Sequence, residues 1–482
     1  MLAAATDGRA GRRGAGRRGG RGAARHAPSG KRYNLSVRVI VIGAGEVGQH
    51  IARTLSSERH DVTVVDQDAD RVEALRGDLD ALVVVGNGAS PKTLADLGAA
   101  DADLLCGVTQ SDEANVIAAL AGHQIGAKRT VARVRDDDYF GQDESFAHDV
   151  MGIDFVVHPE RATADDLAEA ILLPGAVHVE HFADGKVSVA ESILTSRSPL
   201  VGAQLGDRRM VRPNFIFGLI RDGKAVAAEP FHRAKAGDHI LVAAARDDIG
   251  EVVAHLAGRV VKARDVMIFG AGRIGLPLAR RLEDADEVRV TVMERDPERA
   301  RYAAERLAHN SVILEEGIDK DVLLAHGVDR AGAFVACAGD DRANLLAAMH
   351  AKQLGAELCL AVVSREEFTP LVDALGIDAA FSPRLVTAEA ILRSIRGENV
   401  HAMYLLIGGA EVLEVQADPG CEAEGRTVQD TARRAHTRVA AVVRDGQVII
   451  PRGEERVRGG DRMVIFNAIR GVADVRSTFS AA

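Results

Sequence analysis

Residues 37–55, VRVIVIGAGEVGQHIARTL, join an apolar strand through a glycine-rich turn to an amphipathic run. Residues 266–282, VMIFGAGRIGLPLARRL, do the same again. The segments downstream of each copy repeat as well. After the first come DVTVVD (61–66), ADRVEALRG, ALVVVG (81–86), PKTLADLG, DLLCGVT, EANVIAALAGHQIG and TVARVR. From 264 the order recurs as DVMIFG, RIGLPLARRLED, VRVTVME, PERARYAAERLAHN, SVILEEG, DKDVLLAHG, AFVACAG, ANLLAAMHAKQLG and LCLAVVS. Even SDEANVIAAL is answered by GDDRANLLAAM. Self-similarity over a span of this length is a duplication. Strands alternating with helices of this length build a parallel, doubly wound sheet, and near-continuous apolar strands belong where both faces are covered.

The intervening stretches pair as well. GLIRDGKAV and AKAGDHILV, within 177–258, correspond to AVVRDGQVI and VRGGDRMVI within 401–480. Both show short alternating strands around an Asp-Gly hairpin signal, RDG at 221–223 and 444–446. The joining runs TADDLAEAILLPG and TAEAILRSIRG read as helices. The expected class is therefore α/β: two Rossmann-like doubly wound parallel sheets, each followed by a small α+β domain. The expected boundaries are a basic tail at 1–36, then 37–158, 177–259, 264–384 and 400–482.

Composition narrows the function. A chain of 482 residues exceeds one hydrophobic core. It has no Trp and only 4% aromatics, which disfavours stacking platforms for bases or sugars. Cys106, Cys337, Cys359 and Cys421 lie far apart, with no CxxC and no neighbouring His pattern, as expected of buried thiols rather than disulfides or a metal site. No apolar run reaches the roughly 18 residues needed to span a bilayer. Residues 1–32 hold nine basic residues against one acid, in a Gly/Ala/Arg-rich stretch that cannot bury a core and has no signal-peptide h-region. A solvated extension is the expected reading of this tail. The formal net charge of −10 leaves the body strongly acidic, which argues against nucleic acid as a partner.

Gly43, Gly45 and Gly48 form GxGxxG directly after a strand and at the start of a helix. The first glycine makes the tight turn, the second admits a pyrophosphate and the third lets helix and strand pack closely. The helix N-terminus then favours the anion. Asp66 ends the second strand, where a carboxylate accepts from adenosine ribose hydroxyls and repels a 2′-phosphate, favouring NAD over NADP. Copy two offers Gly270, Gly272, Gly275 and Glu294, with Arg295 after the acid and Pro277 early in its helix.

These residues, with VTQSDEAN and the IRDG/AGD pieces, resemble the TrkA family: the peripheral, nucleotide-binding subunits of bacterial Trk potassium-uptake systems. Each family member is a tandem of RCK units (regulator of potassium conductance), a Rossmann lobe plus a small C-terminal lobe. The likeness covers 37–482. It implies NAD(H), and often ATP/ADP, as ligands, and a homo-oligomer, a tetrameric ring. It also implies a K⁺-translocating membrane subunit (Trk-type) as partner and a cytoplasmic location at the inner face of the membrane. Carried onto this chain, the cofactor-binding residues are Gly43, Ala44, Gly45, Glu46, Val47, Gly48, Asp66, Thr109, Gln110 and Arg133. In copy two they are Gly270, Ala271, Gly272, Arg273, Ile274, Gly275, Glu294, Ala338 and Gly339. Copy two departs from the pattern: Val362 stands opposite Arg133, and its third-strand loop is Glu-Glu-Gly-Ile-Asp (315–319). The expectation is thus two unequal sites, the first tighter. Family lobes pair through the fourth-helix region, and ANVIAALA (114–121) and ANLLAAM (343–349) are small and apolar enough for close approach.

Two alternatives stand beside this. One is an NAD-dependent oxidoreductase, which needs a fixed proton donor or acceptor. Here no tyrosine has a Lys four residues on, His123, His158 and His350 read as surface or packing histidines, and HExxH, P-loop and GxSxG motifs are missing. The expectation is no catalytic residue, no metal and no enzyme. The other alternative is an RCK regulator of a cation/proton antiporter.

Overall fold

A computed structural model describes residues 37–481. Residues 58, 78, 137–138, 141–144, 174, 195, 197, 207–215, 222–223, 258–263, 286–287, 310, 396–399, 407–409, 436, 469–474 and 476–477 are excepted. The basic tail and the first Asp-Gly turn thus lie outside the described residues.

The first lobe runs β1 (Arg38–Ile42), α1 (Glu46–Ser57), β2 (Asp61–Asp66), α2 (Ala69–Leu75), β3 (Leu82–Val85), α3 (Pro91–Asp96), β4 (Leu104–Gly107), α4 (Asp112–Ile125), β5 (Thr130–Arg133) and β6 (Phe155–Val157). Its strands form one parallel sheet in the order β3-β2-β1-β4-β5-β6. The sixth strand escaped the sequence reading, because three residues after a long loop carry too little periodicity. Helix α5 (Pro159–Leu172) leads to an antiparallel sheet of β7 (His178–Phe182), β8 (Val187–Ile193), β9 (Ile216–Arg221), β10 (Lys224–Ala227) and β11 (His239–Ala245), followed by α6 (Ile249–Ala257).

The second half repeats this plan. It runs β12 (Asp265–Phe269), α7 (Gly275–Glu283), β13 (Arg289–Glu294), α8 (Pro297–Ala304), β14 (Ser311–Leu314), α9 (Lys320–Ala325), β15 (Ala333–Ala336), α10 (Asp341–Leu354), β16 (Leu358–Val362), α11 (Thr369–Ala374) and β17 (Ala379–Phe381). Its parallel sheet has the matching order β14-β13-β12-β15-β16-β17. Then come α12 (Pro383–Ile395), β18 (Val400–Leu405), β19 (Glu411–Gln416), α13 (Val428–Arg434), β20 (Arg438–Arg444), β21 (Gln447–Ile449) and β22 (Arg462–Asn467). The two antiparallel sheets share one order as well, β7-β8-β11-β9-β10 and β18-β19-β22-β20-β21. Two parallel Rossmann-like sheets and two small antiparallel ones are the α/β architecture read from the sequence.

The repeats do not fold as beads on a string. Helix α5 leaves the first lobe and packs on α7 of the second, where Ala164, Leu167, Ala168 and Ile171 join Leu278, Ala279 and Leu282 in one buried cluster. Reciprocally, Ala388, Ile391 and Leu392 of α12 pack with Ile51 and Leu55 of α1. Each Rossmann lobe therefore completes its core with a helix that follows the other one.

The small sheets also meet face to face. Phe182, Phe217 and Leu241 of the first share a core with Val412, Val464 and Phe466 of the second, and the Phe217 and Phe466 rings lie 5.6 Å apart. Strand β8 is buried on both faces except at its last residue, where the sequence suggested alternation. One of its faces serves the local core and the other the partner sheet. The RDG and AGD pieces recur for a structural reason. Arg221 makes two bonds of 2.6 Å to Asp238, and Arg444 bonds Asp461 at 2.8 and 2.7 Å. Both aspartates are buried, and a buried carboxylate of this kind is retained only when its partner is held in place. In the second turn Asp445 and Gly446 both have positive φ, as a two-residue hairpin requires.

Candidate functional site

Each glycine turn is shaped by what its neighbours exclude. Gly43 and Gly270 have φ of 109° and 106°, a region that disfavours any side chain. A Cβ on Gly48 would lie 1.8 Å from the Gly43 carbonyl oxygen, and one on Gly275 would lie 1.8 Å from that of Gly270. These third glycines let the helix sit on the turn. At Gly45 and Gly272 a Cβ would meet nothing within 4 Å, because both open on a cavity.

That cavity is continuous across the two Rossmann lobes and measures about 1490 Å³. A drug-sized ligand site occupies roughly 300–1,000 Å³, so there is room for more than one nucleotide. From the first lobe Gly43, Ala44, Gly45, Glu46, Val47, Asp66, Thr109, Gln110 and Arg133 line it, as do Ala271, Gly272, Arg273, Ile274, Ala338 and Gly339 from the second. Gly48 and Gly275 are packing residues instead, and Gly270 shapes the second turn.

The acids at the ends of β2 and β13 brace the turns. Asp66 accepts from the backbone N–H of Ala44 at 2.6 Å and of Asp68 at 2.9 Å. Glu294 accepts from Ala271 at 2.9 Å and Asp296 at 3.0 Å. They differ in exposure: Asp66 lines the cavity, whereas Glu294 is 6% exposed and is not among its lining residues. The neighbours of these acids differ too. Gln67 donates to Asn87 at 3.3 Å in the first lobe, and at the matching positions of the second Arg295 pairs with Glu316 at 3.3 Å. Arg295 is thus engaged by a carboxylate. Gly317 keeps the place of Gly88 in the third-strand loop, both packed on the first strand of their sheet, against Phe269 and Ile42 respectively. Pro277 removes one N–H from the first turn, and α7 begins at Gly275 where α1 begins at Glu46, the counterpart of Arg273.

The D-x-A-N repeat also acquires a cause. Asn115 accepts from Thr109 N–H at 2.8 Å and donates to the Arg133 carbonyl at 2.9 Å. Asn344 makes the same bonds to Ala338 and Val362, at 2.8 and 2.9 Å. Asp112 receives the N–H groups of Arg135 and Asp136, and Asp341 those of Ser364 and Arg365. Each fourth helix thereby pins the two loops that floor its half of the cavity.

Arg133 pairs with Glu160 of α5 at 3.6 Å, and both side chains are largely buried. Burial pushes the guanidinium below and the carboxyl above their usual ranges, each partly offset by the other. Arg273, from the second lobe's turn, also acts on both. Sequence reasoning missed Glu160. It also missed Arg71, Arg135, His158, Arg161, Arg299, Tyr302 and Arg384, all of which line the cavity. His158, read as a surface or packing residue, is among them. Extending the repeat alignment past the fifth strands to HPERA and SPRLV would have brought His158, Glu160 and Arg384 into view. All four cysteines are buried, and burial raises the thiols of Cys106, Cys337 and Cys359 to about 12.

The TrkA-N domain model matches residues 39–159 and 266–383, and the TrkA-C domain model matches 412–480. The Trk system potassium uptake protein TrkA of Azorhizobium caulinodans is 33% identical over 451 residues, covering 92% of this chain and 98% of that protein. The chain belongs to the TrkA family. A TrkA from Haemophilus influenzae is 32% identical over 439 residues, 89% of this chain and 95% of its own length. Among solved structures, the GsuK channel bound to NAD shares the fold, with a TM-score of 0.59 at 18% identity over 93% of this chain and 79% of that one. Across the TrkA family match, no helix among the described residues is long and apolar enough to cross a membrane, and no cluster of potential metal ligands occurs among them.

Proposed function

We propose that this chain is the nucleotide-sensing regulatory subunit of a Trk-type potassium-uptake system. It binds NAD(H) and adenine nucleotides between its Rossmann lobes, acts from the cytoplasmic face and biases a K⁺-translocating membrane partner. One observation carries the reading: both glycine turns open on a single cavity that spans two lobes. A ligand there touches both lobes at once, so its affinity depends on how they are placed. Only such differential affinity lets a ligand shift a conformational equilibrium, and two sites multiply a modest preference. Phosphates would lie on the first-turn N–H groups of α1 and α7, which have no intrahelical acceptor. Asp66 would receive a ribose hydroxyl with the lone pairs left by Ala44 and Asp68. Among the described residues seven arginines and five acids line the cavity, a balance suited to holding phosphate rather than to passing protons.

The names of the relatives support a role in potassium uptake, and the geometry supports sensing rather than turnover. Calorimetry with NADH should show saturable binding, and NADH absorbance should stay constant with a panel of oxo-acids and the pure protein. Protein-dependent oxidation that Gly45→Asp abolishes would make the chain an oxidoreductase.

A further inference from the structure

The two crossover helices are alike in packing and unlike in charge. Helix α5 carries Glu160 at its start, in the cavity lining and paired with Arg133. Asp165, Asp166 and Glu169 follow in the next turns, and Asp166 stands about 9 Å along the helix from Glu160. Where α5 packs on β7, His181 lies 3.2 Å from Glu169, and His178 lies 3.9 Å from Glu180. Glu191 of β8 is opposite His178 in register and is bonded by His239 of β11. Of the helices packed on α5, α7 brings Arg280, Glu283 and Arg281, the last 3.9 Å from Asp165, and α12 carries Arg384, Glu389 and Arg393. Asp166 and Glu169, one turn apart on one face of α5, thus meet Glu180 across the junction. Like charges crowded in a largely buried place do not all ionise, so the junction holds a proton. Burial and these neighbours accordingly push Asp166 up to about 8. At the positions of Asp166, Glu169, His178, Glu180 and His181 the second half has Ala390, Arg393, Ala402, Tyr404 and Leu405. The cluster belongs to the first half alone.

We propose that α5 couples nucleotide binding in the first half to the proton held where α5 meets β7, so that ligand and proton oppose each other. An anionic ligand draws on Arg133 and repels Glu160, which pushes the start of α5 away. The helix is continuous from Pro159 to Leu172, so a displacement at Glu160 is felt at Asp166 and Glu169. Eased from Glu180, the junction ionises and its proton leaves to solvent. The effect of one site on the other is mutual, so affinity rises as pH rises through the range in which the junction ionises. The titratable groups nearer the ligand act in the opposite sense. Glu160 and His158, both in the cavity lining, hold an anion better when protonated. An affinity that rises with pH is therefore the signature of the α5 junction.

The inference rests on the nucleotide-sensing reading and is tested on the full chain by calorimetry with NADH, whose pyrophosphate diester does not titrate in this range. Between pH 7 and pH 9 the parent's affinity should rise roughly five- to tenfold, the lower end of the coupling typical between two sites. Titrations at pH 8 in buffers of different ionisation enthalpy should show a proton released on binding. Asp166→Asn should keep the parent's pH 7 affinity at both pH values and release no proton. Glu160→Gln should also lose the release, since the ligand no longer repels the helix. If the parent's affinity is level or falls with pH, or if either variant keeps the parental release, α5 does not couple the two. Should Asp166→Asn melt early, Glu180→Gln decides. It relieves the crowding from the β7 side, so the rise should move to lower pH, and an unmoved rise overturns the coupling. A parent that binds no NADH would overturn the sensing reading and this inference together, whereas binding without a rise with pH overturns this inference alone.

Discussion

Gly45 and Gly48 look equivalent in a motif and are opposites in the fold. A side chain at Gly48 collides with the Gly43 carbonyl at 1.8 Å, whereas one at Gly45 enters open cavity. Gly48→Ala should therefore push α1 off β1 and destabilise the protein by about 1–3 kcal/mol, the usual cost of overpacking. Gly45→Ala should melt with the parent while weakening nucleotide binding to the first half. Thermal melting beside calorimetry separates the two, and a Gly48→Ala protein as stable as the parent would mean that the turn yields. At this scale the sequence was readable wherever spacing alone imposes the role: the glycines, Asp66 and the D-x-A-N helix openings. It was opaque at Glu160 and Arg384. They reach the cavity because of where their helices begin, and that is set by packing between lobes more than a hundred residues apart.

The elements show the same division. Their type and order come from local periodicity, but the destination of α5 and α12 does not, because an apolar face fits either lobe. Where α5 comes to rest decides the state of one of its carboxyls. Asp166 is pushed up to about 8 by burial and by the neighbouring Glu180, Glu169 and Asp165. Glu169 lies 3.2 Å from His181, and Asp165 lies 3.9 Å from Arg281 of α7. The native state keeps a proton that the unfolded chain releases near pH 4, so this carboxyl makes stability fall as pH rises from about 4 to about 8. His178 at the start of β7 works in the opposite sense. Burial lowers it to about 4 from its ordinary 6.5, and stability gained from it rises with pH over that interval. The two oppose each other up to about pH 6.5, and above it only Asp166 contributes. Urea midpoints at pH 6.5 and pH 8 should fall for the parent and stay level for Asp166→Asn. A parent with equal midpoints would show that Asp166 is already ionised.

For the whole molecule, the exchange of crossover helices means that one chain already contains a complete lobe pair. The faces α1, α5, α7 and α12 are spent on that pairing, and the small sheets are spent on each other. The fourth-helix side of each lobe faces outward. There Ile117 of α4 and Leu346 of α10, matched positions of the repeat, are 49% and 40% exposed among small residues. Beside α4, Phe146, Val150 and Phe155 are exposed as well. Matched apolar positions on opposite lobes can join one chain to the next on both sides, which is how a ring is closed. The chain should therefore sediment as a homo-oligomer, and the pair Ile117→Glu with Leu346→Glu should reduce it to smaller species. Nucleotide binding should survive, because neither residue lines the cavity. If the double variant keeps the parental sedimentation coefficient, assembly uses another surface. If the parent is a monomer at every concentration, a ligand's effect ends within one chain, and the ring that the resemblance implies fails with it.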